Sequence, residues 1–334
     1  MTALLYQVKK LIFKRWQRKH WAAHLNYFPT KIAIETGNIC NLDCPLCPTG
    51  NEKEKVKKGM LSFENYVKIL DQLGSYAHHL DLFNWGEPLL NKDIVRMVKY
   101  AKEKYPNLKV IISSNLNILP DDMAEGLILA GLDKMIVSAD GVSQEAYEKY
   151  RVGGNIETVV ENIKKLVQAK VKHEKTQPQI VWNFLVFKHN MHEIELVQER
   201  AKALGVDVNV AGMRTDCAQE IFKPLEERMQ EDAEWIPEGS EYNKYTTEQL
   251  AERETMCPKP WYTVTINWDG NVVPCGSVYD TQKYAYGNML KEPFEKIWNN
   301  EKYLEARREI SGKPTQGLDI ICRTCKKNGY PLYN

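Results

Sequence analysis

Between Lys31 and Val210 the chain alternates, six times over, a short and mostly apolar run with a longer amphipathic stretch. The runs are KIAIE (Lys31 to Glu35), LDLFN (Leu80 to Asn84), KVIIS (Lys109 to Ser113), KMIVS (Lys134 to Ser138), IVWNFLV (Ile180 to Val186) and VDVNV (Val206 to Val210). Runs of that length and apolarity suit parallel strands covered on both faces. Intervening stretches have helical spacing, as in SFENYVKILDQL, where Ser62 is placed to cap the helix, and KDIVRMVKYAKEKY. Right-handed crossovers would join the strands into an α/β domain. A closed barrel of this kind takes eight strands, and only six are visible. The expectation is an open, partial (β/α)6 TIM-like barrel over residues 31–221, with functional loops beyond the C-terminal ends of its strands.

The first of those loops is ETGNICNLDCPLCPTG, Glu35 to Gly50, in which Cys40, Cys44 and Cys47 follow C-x3-C-x2-C spacing. Three thiolates do not close a metal site. Zinc usually shows paired C-x2-C knuckles or mixed Cys/His ligands, whereas an iron-sulfur cubane held by three thiolates leaves one iron open for chemistry. No apolar run approaches the roughly 20 residues that span a bilayer, and no secretory signal opens the chain. A reducing cytoplasm is therefore expected, where eight cysteines serve as ligands or redox groups rather than as a disulfide scaffold. Lys+Arg 45 against Asp+Glu 44 leaves a net charge of +1, which offers no field for nucleic acid.

The triplet Cys40, Cys44, Cys47 after the first strand resembles the signature of the radical S-adenosylmethionine superfamily. The resemblance implies a [4Fe-4S] cluster whose open iron is chelated by S-adenosylmethionine, and a 5′-deoxyadenosyl radical that abstracts hydrogen from a substrate carbon. Other stretches match in chain order. FNWGEP is similar to the segment that receives the methionine amine, which carries the role to Gly86 and Glu87, although Asn84 and Trp85 replace the usual small residues. SSN (Ser113 and Asn115) and VSADG (Ser138 and Asp140) resemble stretches that line the ribose and carboxylate. YRVGGN resembles the segment whose arginine, here Arg151, pairs with the cofactor carboxylate, and Asn190 resembles a residue near the cofactor. Leu46 stands where the family usually has an aromatic beside the adenine. Read singly, Glu87 is also an ordinary turn residue, Ser113 and Ser138 are also helix caps, and Arg151 is also a surface charge. His189 and His192 read as the start of a helix rather than as a metal pair.

Residues 222–256 are polar and acidic and read as a linker. Beyond them, YTVTINWDGNVVPCG sets two β-rich runs around Asp269-Gly270, a tight-hairpin signal, and opens a small module over residues 257–334. Cys257, Cys275, Cys322 and Cys325 in that module resemble the short "twitch" form of the SPASM auxiliary-cluster domain, a β-hairpin with helices. This implies a second [4Fe-4S] cluster with four protein thiolates; a structural zinc knuckle needs the same four.

The implied outcomes are oxidation of a carbohydrate or aminocyclitol-type small molecule, or inversion of a stereocentre with a protein thiol returning hydrogen. Cys217, in MRTDCAQE after the sixth strand, belongs to neither thiol set and is the candidate donor; its bland alternative is an inert buried residue. A peptide substrate is the competing reading, and a noncatalytic metal-binding interaction protein is the reading from another class. Flavodoxin or ferredoxin is the type of reductant implied. Residues 1–30 open with an amphipathic basic helix, MTALLYQVKKLIFKRWQRKHW, either touching a membrane surface or docked on the catalytic domain.

Overall fold

The structure, a computed structural model, describes residues 21–51, 56–214, 223–252 and 257–329. Its strands are β1 (Lys31–Ile34), β2 (His79–Asp81), β3 (Lys109–Ser114), β4 (Lys134–Ser138), β5 (Gln179–Val186), β6 (Asp207–Gly212), β7 (Thr263–Ile266), β8 (Asn271–Val273) and β9 (Gly287–Asn288). They form one sheet in the order β6-β5-β4-β3-β2-β1-β7-β8-β9. The first six are parallel neighbours, as the alternation of runs predicts, and the sheet is open rather than a closed barrel.

Two of the crossover helices start at caps supplied by their own sequence. Ser62 accepts a hydrogen bond from Asn65 N at 3.2 Å and starts the helix Phe63–Leu73, which buries Tyr66, Ile69, Leu70 and Leu73. Asn155 likewise caps Ile156–Lys172 through Thr158 N at 2.9 Å. Leu80, Val110, Ile112, Met135, Val137, Ile180 and Trp182 alternate onto the buried, helix-packed face of the strands. The opposite face is half-buried and largely polar. On it the Ser113 and Ser138 hydroxyls lie 3.2 Å apart, Asn209 Nδ2 donates to Asn183 Oδ1 at 2.7 Å, and Lys31 pairs with Asp81 at 2.8 Å.

β7 pairs in parallel with β1, Lys31 opposite Thr263 through Ile34 opposite Ile266, so the C-terminal module extends the barrel sheet instead of hanging from a tether. The expected hairpin follows. Gly270, at φ +83, makes the turn between β7 and β8, and Asn267 O accepts its N–H at 2.8 Å.

One region differs from the sequence reading. Residues 222–256 carry the helices Leu225–Glu231 and Thr247–Glu252 where a plain linker is expected. Arg228 and Asp232 form a buried pair one turn apart, and Trp235 and Ile236 are buried, which gives this acidic segment a core contact that its composition hides. The expected N-terminal helix falls on residues 1–20, outside the described residues. Residues 21–30 are irregular and docked on the C-terminal module: Trp21 stacks on Trp261 at 4.6 Å, and Ala22 O accepts from Trp261 Nε1 at 2.9 Å. Among the described residues no helix is long and apolar enough to cross a membrane.

Candidate active site

Beyond Ile34 the chain leaves the sheet and wraps the three cysteines into a compact loop. Cys44 O accepts from Cys47 N at 3.0 Å, Pro45 O from Asn51 Nδ2 at 2.9 Å, and Val152 O from Asp43 N at 3.1 Å. Gly50 closes the loop where only a hydrogen fits, since a Cβ there would lie 2.5 Å from Cys44 N. Cys44 is buried, and Cys40 and Cys47 are half-buried.

The thiols share one electrostatic environment. Burial pushes the Cys40 thiol up, opposed by the Leu42 and Asn41 backbone N–H groups and reinforced by Glu87 and Cys47. Burial, with Cys47, Cys40 and Asp140 adding, pushes Cys44 up to about 12, and only Arg151 pulls against it. Two thiols whose ionisation burial opposes, with the Cys47 thiol beside them, fit an iron-sulfur cluster, whose positive irons stabilise the thiolates and displace the protons. No three His, Cys, Asp or Glu side chains among the described residues converge on a single ion. A cubane does not require that convergence, because each thiolate takes its own iron.

The residues singled out in the sequence meet around this loop. Gly86 holds φ +96, and a Cβ on it would lie 2.5 Å from Gly37 O and 2.8 Å from Ile39 O, so the Gly86-Glu87 turn presses directly on the entry to the cysteine loop. Ile39 O accepts Glu87 N at 2.8 Å. Glu87 is buried, and its carboxylate accepts from Leu89 N at 3.0 Å, Ser114 Oγ at 2.7 Å and Asn115 N at 2.8 Å. Burial raises its pKa against those three donors and Arg151. Asn115 then reaches back, with Nδ2 at 3.7 Å from Cys40 Sγ and 2.9 Å from Asn41 Oδ1.

On the other side of the loop, Arg151 Nε donates to Asp140 Oδ2 at 2.7 Å and Nη1 sits 3.8 Å from Cys44 Sγ. It is a half-buried cation beside the Cys44 thiol, not a surface charge. Asp140 is fully buried, and its Oδ1 accepts Leu185 N at 2.7 Å. The Asn190 amide donates to Asp140 O and Leu185 O, each at 2.9 Å, and accepts Phe187 N at 2.7 Å, tying the ends of β4 and β5 together. Ser113 and Ser138 cap no helix; they face each other on the open side of the sheet. Leu46 is buried in the core.

Four residues of this network escaped the sequence reading: Glu35, Ser114, Asn117 and Tyr147. Asn117 Nδ2 donates to Tyr147 Oη at 2.7 Å, and its Oδ1 accepts Asn155 N at 2.7 Å. The one available signal was position, since Ser114 and Asn117 flank Asn115 and Glu35 is the first charge after the first apolar run.

The second thiol set lies on the module that β7 joins to the sheet. Cys257 precedes the short helix Lys259–Tyr262, Cys275 follows β8, and Cys322 and Cys325 share one face of the helix Ile321–Lys327 at i, i+3. Burial raises the Cys322 thiol above its ordinary range, and Cys275 and Cys257 add to it, so these three are electrostatic neighbours. Tyr286 Oη lies 3.6 Å from Cys322 Sγ. Cys217 lies outside the described residues.

The family model of the radical SAM superfamily matches residues 34–210, from the end of β1 to within β6. The chain belongs to the radical SAM superfamily. A second model, SPASM, an iron-sulfur cluster-binding domain, matches residues 257–326. Membership implies S-adenosylmethionine and a [4Fe-4S] cluster, and the SPASM match adds cluster binding at the C-terminus. Among curated proteins, the AdoMet-dependent heme synthase of Methanosarcina barkeri is 25% identical, over 90% of this chain and 92% of its own. The PqqA peptide cyclase of Granulibacter bethesdensis is 24% identical, over 90% and 80%. Among solved structures, BtrN in complex with AdoMet and 2-DOIA superposes with TM-score 0.51 at 19% identity, covering 86% of this chain and 89% of its own. Streptococcus suis SuiB bound to the precursor peptide SuiA gives 0.62 at 14%, covering 90% and 70%. These superpositions bear out the open parallel sheet that the six strand runs predict.

A radical SAM chain with this turn should not tolerate a side chain at Gly86. Gly86→Ala places a Cβ against two carbonyl groups at a positive φ and should cost about 2 kcal/mol or more. Thermal melting of the apo-protein and iron content after reconstitution should both fall.

Proposed function

We propose that this radical SAM enzyme abstracts hydrogen from a polar small molecule of the carbohydrate or aminocyclitol type and oxidises or epimerises it. One observation carries the substrate class. The face of the sheet opposite the helices presents Asp81, Ser113, Ser138, Asn183 and Asn209, and Asp81 Oδ1 has no partner. A polar face of this kind rewards a hydroxylated or aminated ligand and penalises an apolar one. Cys40, Cys44 and Cys47 would hold a [4Fe-4S] cluster there, and with S-adenosylmethionine it would supply the 5′-deoxyadenosyl radical.

The chain's own residues then have distinct tasks. Gly86 and Glu87, whose turn is pressed against the cysteine loop, would receive the methionine amine. Ser113, Asn115 and Ser138 would line the ribose and carboxylate, with Asp140 behind them holding Arg151, Leu46 near the adenine and Asn190 near the cofactor. Arg151, held by Asp140, keeps a positive charge beside Cys44 and toward the cofactor carboxylate. Cys257, Cys275, Cys322 and Cys325, in the short twitch form, would hold a second [4Fe-4S] cluster; a fully ligated cluster passes electrons or shapes the pocket. A flavodoxin or ferredoxin would be the reductant.

The peptide reading is kept alive by the relatives, one of them a PqqA peptide cyclase and one a structure bound to a precursor peptide. Anaerobic turnover of aminocyclitols and of peptides in deuterated water tests both. A product lighter by two hydrogens supports oxidation, and solvent deuterium at the reacting carbon supports inversion by a returned hydrogen. If Cys217 is that donor, Cys217→Ala stops inversion while S-adenosylmethionine is still cleaved; undiminished inversion rejects the role. A colourless, zinc-containing preparation would instead favour the noncatalytic binder.

A further inference from the structure

Between the barrel and the C-terminal module lies a cavity of about 390 Å³, within the size range of small-ligand sites, which begins at roughly 300 Å³. Its floor is Glu35, at the end of β1 and 1% exposed, and Asn267, at the end of β7 and 2% exposed. Glu35 Oε1 accepts Trp85 N at 3.1 Å, and Oε2 accepts Asn267 Nδ2 at 3.0 Å and Trp268 N at 3.4 Å. Every donor is neutral. A carboxylate has about four acceptor positions, so one is left over. The adjacent Asn267 Oδ1 is buried and has no partner.

The charged groups around the cavity are Asp269 on the hairpin, Lys57 after the cysteine loop, and Asp280 and Lys283 beyond β8. Asp269 is occupied by the Asn271 backbone and side-chain N–H groups at 3.2 and 2.9 Å. Asp280 caps Lys283 N at 3.0 Å, and Lys57 Nζ lies 5.6 Å above the Trp268 ring. The charge that weighs on Glu35 is Asp269, of like sign. Burial, with Asp269 adding, raises the Glu35 carboxyl to about 7. The floor of this cavity therefore holds two adjacent acceptors, a carboxyl and an amide oxygen, and neither takes a hydrogen bond from the lysines of the lining.

We propose that the cavity binds the ammonium group of a small aminated polar molecule, with one N–H on the Glu35 carboxylate and a second on Asn267 Oδ1. A hydroxyl brings one proton and no charge, so it satisfies one acceptor and leaves the other bare. The ligand would bridge β1 of the barrel and β7 of the module. The proposal stands whether or not the bound amine is the molecule that loses hydrogen.

The test uses the anaerobically reconstituted full chain and two probes that differ only in the group at issue, ethanolamine and ethylene glycol, titrated by ligand-observed saturation-transfer NMR. Ethanolamine should bind saturably, at least about tenfold more tightly than ethylene glycol. Its binding should be lost as pH falls through about 7, where Glu35 takes up a proton while the amine stays charged. Glu35→Gln should weaken ethanolamine by about tenfold or more and abolish that pH dependence. Equal binding of the two probes, no saturable binding (Asn267 Oδ1 then being met by water), or pH-independent binding by the wild type overturns the proposal. The wild-type pH titration decides the matter even if Glu35→Gln fails to take up iron.

Discussion

Replacing Cys40, Cys44 and Cys47 together by alanine should reduce S-adenosylmethionine cleavage to background while leaving the fold intact. The two effects separate because the thiols contribute little to stability without metal: burial holds Cys40 and Cys44 as neutral thiols, so no ion pair is lost with them. Removing a small buried sulfur from Cys44, 5% exposed, costs on the order of 1 kcal/mol, which a chain with a core this large tolerates. The loop itself is held by backbone and amide hydrogen bonds that alanine keeps, Cys47 N to Cys44 O and Asn51 Nδ2 to Pro45 O. Iron should fall by about four atoms per chain, while a cluster on the proposed second set, Cys257, Cys275, Cys322 and Cys325, would remain. Iron analysis, electron paramagnetic resonance and anaerobic product assay read the three quantities separately. Cleavage that persists in the triple variant ends the assignment of this loop as the cluster site.

Arg151→Met should be the most destabilising single change in the site. Asp140 is fully buried, and the arginine, 14% exposed, is the cation that balances it. Breaking one partner of a buried pair leaves an uncompensated charge and typically costs about 3–5 kcal/mol, which corresponds to a fall of roughly 4–7 °C in Tm for a chain of this size. The pH dependence has a definite sign. Without Arg151 the Asp140 carboxyl is raised further above its unfolded value, so the folded state binds the extra proton and stability declines as pH rises through the carboxylate range. The gap in Tm between wild type and variant should therefore widen from acid to neutral pH. Arg151→Met combined with Asp140→Leu should recover much of the loss, because the orphaned charge is gone. A single variant that melts like the wild type at neutral pH would show that the pair contributes nothing to the fold. Iron uptake by the same variant reports on the second task of the guanidinium, which lies 3.8 Å from Cys44 Sγ and lowers the cost of that thiolate.

Much of the architecture could be read along the chain because the signals are local. Alternating apolar runs and amphipathic stretches follow from the repeat lengths of strand and helix, C-x3-C-x2-C names its chemistry by spacing, and Asp269-Gly270 carries its own turn. Ser62 and Asn155 mark helix starts for the same reason, since a cap needs only its next three residues.

The tertiary structure alone decided how distant segments meet. No local pattern pairs Lys31 with Thr263, yet that pairing welds the two modules into one sheet. Nothing in the FNWGEP stretch says that the Glu87 carboxylate is taken up by Leu89, Ser114 and Asn115, and nothing in YRVGGN says that Arg151 is paired with the buried Asp140 rather than exposed. Glu35 looked like the polar end of a strand, and only the approach of Asn267, over two hundred residues later, turned it into the floor of a cavity. Spacing determines which residues share a face or a turn, while burial, partners and charge balance come from contacts between segments that the sequence lists far apart.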